Sequence, residues 1–139
     1  MSTTLAVAIT VLISAVGLSY VVGRLLTLRS GMLKATTADV DATGLGLSQT
    51  GPTVVHFSAE WCGPCAAVRR VVDQVCAELP AVTHVEIDMD ANPSAAQRLS
   101  VLSLPTTFVF DAQGQQRYRT SGVPKTADLR AVLEPLLAR

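Results

Sequence analysis

The sequence predicts an α/β domain, a mixed β-sheet covered by helices in the order βαβαββα, preceded by one transmembrane helix. Three observations carry this reading. No side chain between Ser2 and Gly23 is charged; beyond Thr53, short β-branched runs alternate with stretches of helical periodicity; and only a tight turn separates the last two strands. Helical crossovers join parallel strands and a hairpin joins antiparallel ones, so the sheet is mixed.

The N-terminal segment comes first. Leu5 to Val22 is mostly Leu, Ile, Val and Ala, and about 20 such residues, rising about 1.5 Å each, span a hydrocarbon core. A cleaved signal peptide would want a basic start and a small-x-small cleavage site, and Met-Ser-Thr-Thr offers no basic start. Residues 1–23 are therefore read as a single-pass anchor, in the membrane over residues 4–23, with Tyr20 near an interface. Arg24, Arg29 and Lys34 follow the span, and positive flanks stay cytoplasmic. The globular part is placed in the cytoplasm, with the extracytoplasmic side as the alternative. Ala15, Ser19 and Gly23 repeat at small-xxx-small spacing, which is read as the ordinary composition of spanning helices.

Residues 24–50 show little periodicity and read as a linker with room for one short element. The domain occupies 51–139. Thr53–Ser58 is a β-branched run bounded by turn signals, the pattern of a strand buried on both faces. From Pro64 to Leu79, Val68, Val71, Val72, Val75, Cys76 and Leu79 recur at helical spacing. Val82 to Met89 alternates as a second strand, with His84, Glu86 and Asp88 on a polar face where His84 is simply solvated. Asn92-Pro93 starts a short helix to about Leu99. Thr107–Phe110 and Gln116–Thr120 are strands around the turn Asp111-Ala-Gln-Gly114, and Leu129, Val132, Leu133, Leu136 and Leu137 mark a closing helix.

Composition excludes one class of partner. Charged residues make up 16% of the chain, 11 basic side chains balance 11 acidic ones, and no Lys/Arg run tracks a phosphate backbone, so nucleic acid is not expected. Three cysteines, two of them three positions apart, do not form the paired framework of a secreted disulfide scaffold.

Those two carry the chemistry. Cys62 and Cys65 sit where a buried strand passes into a helix, and the free amides and dipole of a helix N-terminus favour a thiolate. Cys62 is expected to be the nucleophile. Pro64 suits the first helical turn, Gly63 a tight turn before it, and Cys65 a shielded place one turn inside. Attack of Cys62 on a disulfide, followed by resolution of the mixed disulfide by Cys65, needs no cofactor beyond the cysteine pair.

From Thr53 to Ala138 the sequence resembles the thioredoxin family. Ala59-Glu60-Trp61-Cys62-Gly63-Pro64-Cys65 is similar to its active-site motif, Asp90-Ala-Asn92-Pro93 to its post-strand turn, Leu104-Pro105-Thr106 to its cis-proline loop, and Gly122 to its groove glycine. The resemblance implies a thioredoxin-like fold, and a substrate groove of Trp61, Gly63, Pro64, Leu104, Pro105 and Gly122 beside Cys62. It implies protein disulfides as substrates and an upstream electron donor such as a thioredoxin reductase-like protein. The Gly-Pro pair resembles the reducing branch, whose potential lies at about −270 mV, so the expected activity is dithiol reduction of protein disulfides.

The departures are specific. His56 stands where the family buries an Asp that helps deprotonate the resolving cysteine; an imidazole can also accept that proton, and the residue reads equally as a buried, hydrogen-bonded histidine with no catalytic part. Ser58 replaces a usual Trp, Ala66 a usual Lys and Arg70 a usual Pro, and the family's first strand and helix are not recognisable before Thr53. Cys76, on the apolar helix face, reads as packing. Two alternatives stand beside reduction in the cytoplasm: an extracytoplasmic oxidant, isomerase or reductase for exported proteins, and a Zn or Cu(I) module on Cys62 and Cys65 with His56 or a partner's ligand. A membrane adaptor without turnover is a third. No metal ligand is assigned, since no second Cys-x-x-Cys or His pair completes a site.

Overall fold

The structure is a computed structural model that describes residues 2–29 and 31–138. It divides into two compact units, Met1–Ser30 and Gly31–Arg139.

The first unit is helix α1, Ser2–Arg29, of which Thr3–Leu28 is long and apolar enough to cross a membrane. The helix continues past Gly23, so Arg24 lies within it; Leu25, Leu26 and Leu28 prolong the apolar stretch without a breaker. Thr10 and Thr27 donate their hydroxyls to the carbonyls of Ala6 and Gly23, at 2.9 and 2.8 Å, which satisfies these polar groups within the helix.

In the second unit the strands are β1 (Lys34–Ala38), β2 (Thr53–Ser58), β3 (Thr83–Asp88), β4 (Thr106–Phe110) and β5 (Gln116–Ser121). The helices are α2 (Cys65–Glu78), α3 (Pro93–Arg98) and α4 (Thr126–Leu137). The sheet runs β1-β5-β4-β2-β3. Strand β3 is parallel to β2, and the β1–β5, β5–β4 and β4–β2 pairs are antiparallel. It is the mixed, helix-covered sheet that the sequence predicts, with one addition. Strand β1 lies inside the segment read as a linker; its sequence Lys-Ala-Thr-Thr-Ala carries almost no apolar signal because it pairs at an edge and exposes most of its side chains.

Strand β2 is buried throughout, and its alternation feeds two cores. Val55 and Phe57 pack with Phe108, Phe110, Ala95, Ala96 and Leu99 on the α3 face. Val54 packs with Val68, Val72, Val75, Leu129 and Leu133 under α2 and α4. Each of the fully buried Val, Leu and Phe side chains among them contributes about 1.5–3 kcal/mol. The backbones at the start of β2 and the loop before β3 approach closely, since a Cβ on Gly51 would stand 2.3 Å from the Ala81 carbonyl oxygen. Only glycine fits there. Asn92 precedes α3 as expected, but its side chain donates to the Asp88 carbonyl at 3.1 Å and does not cap the helix.

Candidate active site

Strand β2 ends at Ser58, and the chain turns through Ala59–Pro64 into α2. The turn closes by the Cys62 amide donating to the Ala59 carbonyl at 3.1 Å and the Cys65 amide donating to the Cys62 carbonyl at 3.3 Å. Cys65 is the first residue of α2, with Pro64 at the N-cap. The expected place one turn inside the helix is therefore corrected: the Cys65-to-Cys62 hydrogen bond spans three residues and makes this stretch a turn, and helical bonding begins after it. Gly63 is exposed, outside the left-handed region, and a Cβ there would meet nothing within 4 Å. Its expected role as the residue that permits a tight turn is corrected likewise.

Cys62 and Cys65 form a disulfide with Cα atoms 5.5 Å apart. Cys62 is 9% exposed and Cys65 2%, so the sulfur at the surface side belongs to Cys62. Leu104 packs against the pair with Ala59. The Leu104–Pro105 bond is cis, as the resemblance implies. Gly122, at φ 89°, donates its amide to the Pro105 carbonyl at 2.9 Å, which joins the end of β5 to the cis-proline loop. Trp61 is 67% exposed, and its indole N–H donates to Asp90 Oδ2 at 3.0 Å.

Beneath α2 lies a cluster that the sequence reading did not assemble. His56 is fully buried. Its Nδ1 lies 2.8 Å from His84 Nε2, and His84 Nδ1 lies 2.9 Å from Asp73 Oδ1 on α2. Glu86 accepts from Arg69 at 2.8 and 2.5 Å and from the Ser58 hydroxyl at 2.8 Å, with its Oε1 3.5 Å from His56 Nε2. The solvated role expected for His84 is thus corrected. The parallel register sets His56 beside Glu86, and the polar face of β3 turns toward Arg69 and Asp73 of α2 rather than toward water alone. That face was legible as His84, Glu86 and Asp88; what was missing was which helix covers it. Cys76 packs against the core under α2, where burial above all, with Asp73 nearby, pushes its thiol up.

Burial drives His56 down to about 4 from its ordinary 6.5, against the opposing pull of Glu86, while His84 and Arg69 add to the lowering. Arg69 holds Glu86 down at about 2. The signs agree. A histidine with a depressed folded pKa contributes stability that is complete above 6.5 and lost as pH falls toward 4, and Glu86 loses its contribution between its ordinary 4.5 and about 2. His56→Asn is expected to remove a stability loss on the order of 3 kcal/mol between pH 6.5 and 4, measured by denaturant unfolding across that range. A slope unchanged by the substitution would refute it.

A family profile described as Thioredoxin matches residues 37–135. The chain is 33% identical over 105 residues to a thioredoxin of Mycolicibacterium smegmatis, covering 73% of this chain and 93% of that one. It is 39% identical over 74 residues to a thioredoxin of Chlamydia trachomatis, covering 53% and 72%. Among solved structures, chloroplastic thioredoxin z superposes with a TM-score of 0.59 at 32% identity, covering 65% of this chain and 81% of the other. A match of this breadth, over the strands and helices that build the sheet and carry the cysteine pair, makes this chain a member of the thioredoxin family, a thioredoxin-like disulfide oxidoreductase with a Cys-x-x-Cys pair.

Proposed function

We propose that the chain is a membrane-anchored dithiol reductant of protein disulfides, with its catalytic domain on the cytoplasmic side. The observation that carries the reading is the Cys62–Cys65 pair at the mouth of α2, with Gly63-Pro64 between the sulfurs and the more exposed sulfur on Cys62. Reduced Cys62, favoured as thiolate by the free amides of α2, attacks a substrate disulfide. One substrate sulfur leaves and the other remains bonded to Cys62. Cys65 then gives up its proton and attacks Cys62 Sγ, so that the substrate leaves fully reduced and the pair is left oxidised.

His56 is the transient acceptor for the Cys65 proton: burial holds its pKa at about 4, so the imidazolium passes the proton on and does not keep it. It projects from the face of β2 that α2 covers, and Cys65 Sγ lies 3.9 Å from the carbonyl oxygen of Phe57, the next residue of β2. Glu86 is a poor base, since Arg69 and Ser58 already occupy its oxygens. Leu104 packs against the cysteine pair, and with Trp61, Gly63, Pro64, Pro105 and Gly122 it serves as the substrate groove. The redox centre is the cysteine pair alone, and a thioredoxin reductase-like donor restores the dithiol. The Thr3–Leu28 helix, followed by Lys34 and containing Arg24, supports the anchor and its orientation.

Reduction is expected to show in the potential of the full chain in detergent micelles, equilibrated against glutathione or dithiothreitol buffers with Cys62→Ser as control. A value of about −270 mV supports the reductant. One well above about −200 mV would reverse the direction and make an extracytoplasmic oxidant or isomerase the better reading.

A further inference from the structure

We propose that His84 and Asp73 form the outlet through which the proton released by Cys65 leaves the protein interior, so that His56, His84 and Asp73 act as one relay beneath α2. The inference rests on the reading of Cys62 and Cys65 as the redox pair and adds to it two positioning residues.

The need arises from the resolving step itself. As the Cys65–Cys62 bond forms and the Cys62–substrate bond breaks, the electron pair goes to the departing substrate sulfur, while the proton of the Cys65 thiol remains at a sulfur only 2% exposed. A buried imidazole that accepts this proton becomes a buried cation, costly unless the charge can move on.

The hydrogen bonds of the cluster define where it goes. Asp73 Oδ1 serves as the acceptor of this pair, so His84 Nδ1 carries the hydrogen that Asp73 receives at 2.9 Å. His84 Nε2 is then a lone pair, and His56 Nδ1 donates to it at 2.8 Å. His56 Nε2 is left as a lone pair, and it is the buried nitrogen without a hydrogen-bond partner. A proton arriving there meets Glu86 Oε1 at 3.5 Å, which stabilises the arriving charge. The Nδ1 proton of His56 passes to His84, and that of His84 to Asp73.

The path runs outward. His56 is fully buried, the His84 side chain 16% exposed and the Asp73 side chain 61% exposed. The two ring planes lie within 24° of each other with centroids 5.0 Å apart, so the rings meet edge to edge through the bonded nitrogens. When the disulfide is reduced again, the same chain returns a proton to Cys65, which resets both tautomers.

The charged groups around His56 are few. From α2 they are Arg69 and Asp73, and from β3 His84 and Glu86. Strand β4 sets Thr107 opposite it, and α4 brings Leu129 and Leu133 to that core. Arg69 neutralises Glu86, so Asp73 is the carboxylate free to receive the proton.

The test is single-turnover oxidation of the reduced full chain by a disulfide peptide between pH 5 and 9, followed by the fluorescence of Trp61, the chain's one tryptophan. The first attack is measured separately in a Cys65→Ser background. His84→Ala is expected to slow resolution by about tenfold to a hundredfold while leaving the first attack unchanged, and added free imidazole is expected to restore the rate. Asp73→Asn is expected to slow resolution and alter its pH profile. Resolution by His84→Ala at the wild-type rate would overturn the relay, as would a slowing that imidazole does not relieve or that equally affects the first attack. A wild-type chain that fails to react with any disulfide would instead sink the oxidoreductase reading from which the relay starts.

Discussion

Cys65→Ser is expected to turn the chain into a trap that holds its substrates through a mixed disulfide at Cys62. The first attack needs only Cys62 at the mouth of α2, and the resolving thiol 5.5 Å away between Cα atoms is what releases the substrate. With a hydroxyl in its place, turnover of a protein disulfide is expected to fall by roughly a thousandfold or more, since members of a catalytic unit fail together. Covalent adducts accumulate that dithiothreitol releases. Cys62→Ser forms none and is equally inactive. Expressed in cells, the Cys65→Ser chain is expected to carry its adducts in the membrane fraction after alkaline carbonate extraction, with the catalytic domain open to protease only from the cytoplasmic side. Adducts that are soluble would remove the anchor from the reading, and cleavage of the domain by protease added outside intact spheroplasts would reverse its topology. Full turnover by Cys62→Ser would remove the mechanism altogether.

Phe108→Ala carries the largest expected cost in stability, about 3–5 kcal/mol. Phe108 is fully buried and meets Phe57 edge-on, with centroids 5.9 Å apart, and Phe110 at 6.2 Å. The Arg119 guanidinium stands 5.0 Å over its ring and donates to the carbonyls of Leu99 and Ser100 at 3.1 and 2.7 Å. Those carbonyls end α3, where Ser100 takes φ 51°, and the chain then leads to Leu104 and Pro105. Loss of the ring therefore removes apolar burial, leaves a cavity between β4 and α3, and takes away the surface on which Arg119 rests. Thermal or urea unfolding of the full chain reads the effect, and Phe108→Leu, which keeps most of the volume, is expected to cost less than about 1.5 kcal/mol. Equal losses in the two variants would show that the cavity is not the cause.

Most of the secondary structure was legible because each element is written in local pattern. The β-branched run Thr53–Ser58 is β2 residue for residue, since a central strand is buried on both faces and its apolar run is bounded by turn signals. The apolar spacing of Val68, Val72 and Val75 matches the buried face of α2, and the turn before β5 follows from Asp111, whose carboxylate accepts the amides of Gln113 and Gln115 at 3.0 and 2.9 Å. The cysteine pair was visible as Trp-Cys-Gly-Pro-Cys, because a helix start needs particular residues at fixed offsets. Strand β1 was not, because an edge strand is specified by its neighbour β5 and hardly at all by its own side chains. Cys65 was placed a turn too deep, because sequence spacing does not say where turn bonding gives way to helical bonding.

The sequence by itself determined the apolar helix, the alternation of strands and helices, and the place of the two sulfurs between a strand and a helix, since all of these depend on residues within a few positions of one another. Only the tertiary structure decided that His56, His84 and Asp73 form a chain, that Arg69 pairs with Glu86, that Trp61 leans on Asp90, and that the end of β5 binds the Pro105 carbonyl. These contacts join residues 11 to 29 positions apart, and they exist because parallel pairing of β2 with β3 sets His56 beside Glu86 while α2 crosses over both. Register and crossover are properties of the whole sheet: a shift of β3 by one residue would turn its polar face to the α3 side and dissolve the cluster.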